Sequence, residues 1–403
     1  MPLSKPSLHN EDANRMRNEW LIPDDVTYLN HGSFGPSPHV VQEARHRWIE
    51  QLERQPMHFF LRQMEDALNV AYEHLGEFVG AKPKDLIFVE NSTTAMNIVA
   101  ANIELRAGDE VLTTDHEYGA VLRIWRRLCR QTKAKLVVRK LPNPMTSHDE
   151  IADTFMESVT SRTRLIVISH VTSPTAVILP VAEIARRAKK LGIPICIDGP
   201  HAVAMLPINL EQIGCDYYAA SCHKWLSAPF GSGFLFVRRA LQQHLQPVIT
   251  SWGGNISGGP PSWKDEFSWV GTRDPSAYLS IPAAIEFLRS HGIAEFRNST
   301  HELAQYARRR IQEVSGLDAV IPDSPEWYAS MISLPLPLGE NEPPKQGHRD
   351  PLQDELWNRY QIEVPIVHWQ GVRFVRVSCH LYNSRHDIDT LAEALHASLQ
   401  EST

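Results

Sequence analysis

A chain of 403 residues, 42% hydrophobic and 22% charged, has the composition of a globular protein with a sizeable core, organised as two domains or as one domain with an appendage. A net charge of −7 is modest at this length and points to neither a nucleic acid nor an anionic membrane as partner. No apolar run reaches the roughly 18 residues of a membrane span, and Met1 to Asn10 is polar with two prolines rather than the apolar core of a signal peptide. The expected location is therefore the cytoplasm.

In chain order, Met64, Leu68, Ala71, Leu75 and Phe78 recur at helical spacing and predict an amphipathic helix whose stripe is core. Leu86 to Val89 reads as a buried strand, followed by a helix opening near Thr94. Glu110 to Thr113 precedes a helix carrying Val121, Leu122, Trp125 and Leu128. The basic cluster Arg123, Arg126, Arg127 and Arg130 fits the surface of that helix. Leu136 to Val138, Leu165 to Ile168 and the run from Leu191 to Asp198 continue the strands, with a helix from Val181 to Leu191. Short apolar strands alternating with helices predict a mostly parallel sheet covered on both faces.

A second domain is expected after Gly271-Thr272-Arg273-Asp274-Pro275. It would hold helices over about Pro282 to Arg289 and Ala294 to Val314, a strand over Met331 to Leu334, and a proline-rich loop over Pro335 to Pro351. A strand over Phe374 to Ser378 and a closing helix from about Ile388 complete it. The expected division is an N-terminal arm over 1–25, a large domain over 26–274 and a small α+β domain over 275–403.

Five cysteines, Cys129, Cys196, Cys215, Cys222 and Cys379, are odd in number, lack C-x-x-C spacing and sit mostly in apolar surroundings. They are expected to be reduced and packed. The nineteen histidines are scattered, and no metal site is expected.

The chemistry concentrates at Ser221-Cys222-His223-Lys224-Trp225, read as a lysine at the end of a buried strand, and at Asp198, which ends the apolar run before it. A buried lysine paired with a carboxylate suits pyridoxal 5'-phosphate (PLP). The lysine carries the cofactor covalently, and the aspartate keeps the ring nitrogen protonated. Asn91-Ser92-Thr93-Thr94 lies between a strand and a helix, where free N–H groups would bind the phosphate; the alternative is an N-cap by Ser92 or Thr93. Ser221 and His223 could add hydrogen bonds to that phosphate. His201 is placed to reach the cofactor's phenolic oxygen, or else caps a helix. His116 or Tyr118, in Asp115-His116-Glu117-Tyr118, could stack on the ring. Tyr118 is the first choice, for stacking or as a proton donor near the substrate. Arg376, inside the strand Val375-Arg376-Val377-Ser378, suits a substrate α-carboxylate or a structural ion pair, while Arg373 reads as surface.

Taken together these pieces resemble the fold-type I PLP enzymes of the class V aminotransferase and cysteine desulfurase superfamily. Within it the resemblance is to isopenicillin N epimerase-like proteins and to the carbon–sulfur lyases of ergothioneine synthesis. It rests on Asp198-Gly199-Pro200-His201, on Ser221 to Trp225, on Tyr28-Leu29-Asn30-His31-Gly32-Ser33-Phe34-Gly35 and on Trp269-Val270-Gly271-Thr272-Arg273-Asp274. It implies the PLP-transferase fold, with a large α/β domain and a smaller C-terminal one. It also implies a substrate side at Asn30 and His31, and a carboxylate-binding Arg376. Thr272 would reach a neighbouring subunit's phosphate, which implies a homodimer with shared active sites.

Two departures stand out. Glu363 to Gln370 holds no cysteine, although desulfurases need a mobile one before that arginine, so persulfide chemistry is disfavoured. Ser173 also stands where desulfurases carry an asparagine near the cofactor. The expected activity is a PLP reaction at the α-carbon of an amino-acid-like substrate, with Lys224 as base. Epimerisation comes first, then β-elimination of the carbon–sulfur type or transamination, and last a binder without turnover.

Overall fold

Alternation along the strands decides the architecture. In the computed structural model, which describes residues 16–254, 258, 262–338 and 349–401, the strands are β1 (Thr27–Tyr28), β2 (Leu86–Val89), β3 (Glu110–Thr114) and β4 (Lys135–Arg139). They continue as β5 (Thr163–Ser169), β6 (Ile195–Asp198), β7 (Tyr217–Ser221), β8 (Gly233–Val237), β9 (Met331–Leu336), β10 (Ile362–Glu363), β11 (Ile366–Trp369) and β12 (Val372–Ser378). Every residue of β2, β3, β6, β7 and β8 is buried. Their apolar side chains divide by parity between two cores. Leu86, Phe88, Leu112, Ile166 and Ile197 join one cluster, and Ile87, Val89, Val111, Val167 and Cys196 the other. A strand apolar on both faces must be covered on both.

The covering is helical. Helices Ser92–Asn102 and Gly119–Thr132 bury Met96, Val99, Val121 and Trp125 on one face. Helices Met64–Val79, Val181–Lys190 and Ile281–Ser290 bury Leu68, Leu75, Ile184 and Ile285 on the other. The seven-stranded sheet has the order β2-β8-β7-β6-β5-β3-β4. β4, β3, β5, β6 and β7 run parallel, and β8 is antiparallel to both β7 and β2. The carboxyl ends of β3, β5, β6 and β7 therefore share one edge. Thr114, Ser169, Asp198 and Ser221 stand there, where ligands bind in open α/β sheets.

β9, β12 and β11 form a separate antiparallel sheet of three strands. β1 pairs in parallel with β10, and the N–H of Ser378 donates to Leu29 O (3.0 Å), so the segment after β1 lies against β12.

The expected proline-rich loop is shorter at both ends than the composition suggests. Pro335 lies inside β9 opposite Phe374, an edge position where its missing N–H is tolerated. Pro351 opens helix Pro351–Tyr360, capped by the Asp350 side chain. Residues 339–348, including Pro343 and Pro344, and residues 1–15 of the expected arm lie outside the described residues. Helices His39–Arg54, Pro56–Arg62 and His148–Met156, with β8 and β11, are elements that the periodicity left unassigned.

Candidate active site

Lys224 sits three residues past the end of β7, in a turn built to hold it. The N–H of Cys222 donates to Ser232 O (2.9 Å), that of Ser227 to Lys224 O (2.7 Å), and that of Ala228 to Cys222 O (3.1 Å). Ser227 adopts a left-handed φ of 56°, a conformation that needs support from its surroundings. Its hydroxyl is 3.3 Å from both His31 Nε2 and His380 Nε2. His31 Nε2–H donates to Lys224 O (3.0 Å) and Tyr382 O–H donates to His31 Nδ1 (2.9 Å). Both ring nitrogens of His31 are thus engaged under the lysine turn, and burial pushes its pKa down to about 3. Gly35 is required beside it, since a Cβ there would come 2.7 Å from His223 O and 2.6 Å from His31 Nε2.

The lysine side chain points at the end of β6. Its Nζ lies 3.1 Å from His201 Nε2, and Trp225 Nε1–H donates to His201 Nδ1 (3.4 Å). With Nδ1 accepting, Nε2 carries the histidine's proton and donates to Nζ, an arrangement that fits a neutral amine. Burial, then the Arg376 charge, lowers the Lys224 pKa, while Asp198 opposes them. Asp198 is 4% exposed, and its Oδ1 is buried without a hydrogen-bond partner. Burial and the neighbouring Glu117 raise its pKa. Next to it, a Cβ on Gly199 would meet the Tyr218 ring at 2.1 Å, so only glycine fits there.

Glu117 was not singled out in the sequence. It is buried, and it accepts hydrogen bonds from Thr114 and from Ser169, the residue opposite Asp198 in the β5–β6 ladder.

At the start of helix Ser92–Asn102 the cap is Asn91, whose side chain accepts from the N–H of Thr94 (3.0 Å). Neither Ser92 nor Thr93 caps the helix, which corrects the alternative raised for this turn. Ser92 N–H donates to Ser221 Oγ (3.0 Å), so the two expected phosphate residues from separate elements are in contact. Thr93 is exposed. His223 keeps an unpartnered, buried Nδ1, and burial lowers its pKa to about 4.

His116 and Tyr118 meet different surroundings. The His116 ring packs against Trp369, with centroids 4.1 Å apart, and its Nδ1 is 2.7 Å from Thr175 Oγ1. Burial lowers its pKa to about 3. Trp369 Nε1–H donates to Asp115 O (2.9 Å), and the Gln370 amide bonds the Asp115 carboxylate. His116 is therefore built into a wall. Tyr118 is 50% exposed and near enough to influence the charge of Arg376.

Arg376 is buried. Its Nη1 donates to Ser173 O (2.7 Å) and Ser173 Oγ (3.1 Å), its Nη2 to Ser33 Oγ (2.5 Å), and its Nε has no partner. No carboxylate among the described residues pairs with it, and burial brings its pKa down to about 10. Asn30, from the same segment as Ser33, is 3.5 Å from Glu363 Oε1 through its Nδ2 and leaves Oδ1 buried and unpartnered.

Arg373 is not a surface residue. It is buried and bonded twice to Asp350, with Nε to Oδ2 at 3.0 Å. Thr272 is exposed, and its neighbour Arg273 pairs with Glu90, which adjoins the Asn91 cap. All five cysteines are buried. Burial pushes the Cys129 thiol up to about 11 and Cys215 to about 12, with Cys196, Cys222 and Cys379 also raised. Among the described residues no cluster of His, Cys, Asp and Glu could hold a metal, and no helix is long and apolar enough to cross a membrane.

Comparison with known proteins gives concordant results. The family model described as "Aminotransferase class-V" matches residues 28–347. Isopenicillin N epimerase of Streptomyces clavuligerus is 34% identical over 96% of this chain and 98% of its own, and that of Amycolatopsis lactamdurans 35% over 94% and 96%. A probable chloroplastic L-cysteine desulfhydrase of Arabidopsis thaliana is 27% identical over 94% of this chain and 84% of its own. Among solved structures, a C-DES variant with glycine covalently linked to its PLP cofactor superposes with a TM-score of 0.80 at 21% identity, covering 94% of this chain and 98% of that one. The cysteine desulfurase CsdA from Escherichia coli gives 0.77 at 21%, covering 97% and 99%. These structural matches establish the fold: a mostly parallel sheet flanked by helices, with a smaller C-terminal part.

Proposed function

We propose, from the premise that this chain belongs to the aminotransferase class-V family of PLP-dependent enzymes, that it is an epimerase-type enzyme acting at the α-carbon of an amino acid or amino-acid-like substrate. The observation that carries this choice is the half-exposed Tyr118 beside Arg376, on a different element from Lys224. Inversion of an α-carbon requires a proton acceptor and a proton donor on opposite sides, and this reading assigns Lys224 to one and Tyr118 to the other. The two epimerase relatives, alike over nearly the whole chain, support the same reading.

The residues fit the cofactor. The unpartnered Asp198 Oδ1 suits a ring N–H, His201 can serve the phenolic oxygen, and Lys224 would hold the aldehyde carbon until the substrate amine takes its place and frees Nζ. Ser92, Thr93, Thr94, Ser221 and His223 would hold the phosphate, with Thr272 reaching it from a second copy in a homodimer with shared active sites. Bound there, PLP supplies an electron sink for the pair left when an α-proton departs. The chain's own residues do the rest. Arg376 takes the substrate α-carboxylate bidentately, braced by Ser33 and Ser173 and flanked by Asn30. His31, below the lysine turn, fixes the position of Lys224. The Lys224 amine, brought toward neutrality by burial and by Arg376, takes the α-proton at Nζ. Tyr118 would return a proton from the other side or stack on the ring, with His116 packed against Trp369 nearby.

A second reading is β-elimination, favoured by the desulfhydrase relatives, which needs no enzyme thiol. Desulfuration through a persulfide is disfavoured, because every cysteine is buried and its thiol raised. Incubation in deuterated water with a panel of L-amino acids, amino-acid-bearing peptides and cysteine conjugates tests the choice. Deuterium at an inverted α-carbon is the expected result. Pyruvate with ammonia would replace it by elimination, and accumulation of the aminated cofactor by transamination.

A further inference from the structure

We propose that Glu117 is a positioning residue for the cofactor's ring nitrogen: a second carboxylate, fixed beside Asp198, that strengthens the hold of the pair on a protonated ring. This rests on the reading of Asp198 as the partner of that nitrogen. Glu117 is 5% exposed. One of its oxygens accepts from Thr114 Oγ1 (2.8 Å) and from the N–H of Ser169 (3.1 Å), and the other from Ser169 Oγ (2.5 Å). The Thr114 hydroxyl itself accepts from the N–H of His116 (3.2 Å), so its own proton is the one given to Glu117. Three groups able to donate converge on it, a set that an ionised carboxylate fills completely.

Ser169 lies directly opposite Asp198 in the parallel β5–β6 ladder, so their side chains leave the sheet on the same side. The carboxylate that grips Ser169 is therefore on the same side of the sheet as Asp198 and near enough for its charge to act on it. Asp115 adds a third carboxyl group to this corner, with the Arg376 guanidinium among the groups that face it across Lys224. Burial, with the Asp115 charge adding to it, pushes Glu117 up to about 7, and burial together with the Glu117 charge raises Asp198. Two buried acids this close resist joint ionisation until a cation joins them. A ring N–H⁺ at the free Asp198 Oδ1 is such a cation, and both carboxylates attract it in surroundings of low dielectric.

The test compares PLP with its 1-deaza analogue, in which a CH replaces the ring nitrogen, by binding titration to the wild-type apoprotein and to Glu117→Gln. Failure of the wild type to bind PLP would remove the cofactor reading itself, a result distinct from those that concern Glu117. With PLP bound by the wild type, Glu117→Gln should weaken PLP on the order of tenfold and leave the analogue within about twofold or tighter. A purely architectural Glu117 would weaken both ligands equally, and that result, or no change for either, overturns the proposal. Ser169→Ala, which removes one of the three donors, should show the same selective loss at smaller size. It keeps the proposal open to refutation if Glu117→Gln does not fold.

Discussion

Arg373 and Arg376 stand three residues apart on β12, both buried, and meet opposite surroundings. Arg373 is closed off by Asp350, whose carboxylate also takes His368 Nε2 at 2.5 Å and caps the helix Pro351–Tyr360. Arg376 meets only hydroxyls and a carbonyl, with its Nε left over. A buried guanidinium with its carboxylate in place is architecture; one without is a demand for a ligand. Asp198 Oδ1 lacks a partner as Arg376 lacks a counter-charge, and in the proposed function the cofactor and the substrate carboxylate complete them.

Substitution separates the two arginines most sharply. Arg373→Ala should cost about 3–5 kcal/mol of stability, because Asp350 stays buried and uncompensated; denaturant unfolding measures it. Arg376→Ala should move stability little, yet raise KM and lower kcat/KM by an amount worth about 2–5 kcal/mol, the loss of one partner of a buried charge pair. Equal stability losses in the two variants would erase the distinction.

A smaller effect comes with pH. His31 and His116 are held down to about 3, His170 and His223 to about 4, and His201 and His380 well below their ordinary value of 6.5, all by burial first. These six are neutral in the fold, whereas an unfolded chain protonates them below 6.5. Their stabilisation is complete above 6.5 and lost as pH falls toward 4 and 3. Asp115, Glu117 and Asp198, raised by burial, act in the opposite sense over part of that window, but they are three against six. Melting temperature should therefore fall steeply from pH 6.5 to 4. The smallest effect expected is none: after exposure to L-cysteine, peptide mapping should find no persulfide on any of the five cysteines. A persulfide on Cys379, the thiol nearest in sequence to Arg376, would reopen the desulfurase reading.

Much of this was legible in the sequence, for identifiable reasons. Strands buried on both faces are continuous apolar runs, so β2, β3, β5 and β6 stand out. The chemistry of Lys224, Asp198 and Arg376 follows from charged residues embedded in such runs. What stayed hidden depends on distant partners. The ion pair of Arg373 needs Asp350, which lies beyond a proline-rich stretch that reads as loop. The burial of Glu117 depends on Ser169, fifty-two residues away, while a glutamate flanked by polar residues reads as solvated. His31 reads as a substrate residue from the motif around it; its contacts with Tyr382 and the Lys224 carbonyl, hundreds of residues away in sequence, are not legible there. Asn91, the actual cap, was passed over for the hydroxyls beside it.

The central claim is that Lys224 carries the cofactor, and chemical trapping tests it most directly. The purified protein would be loaded with PLP, reduced with borohydride, digested and mapped by mass spectrometry. The account predicts one phosphopyridoxyl group, on the peptide containing Lys224, and its loss in Lys224→Ala. A label on another lysine, or none on a protein saturated with PLP, would contradict it.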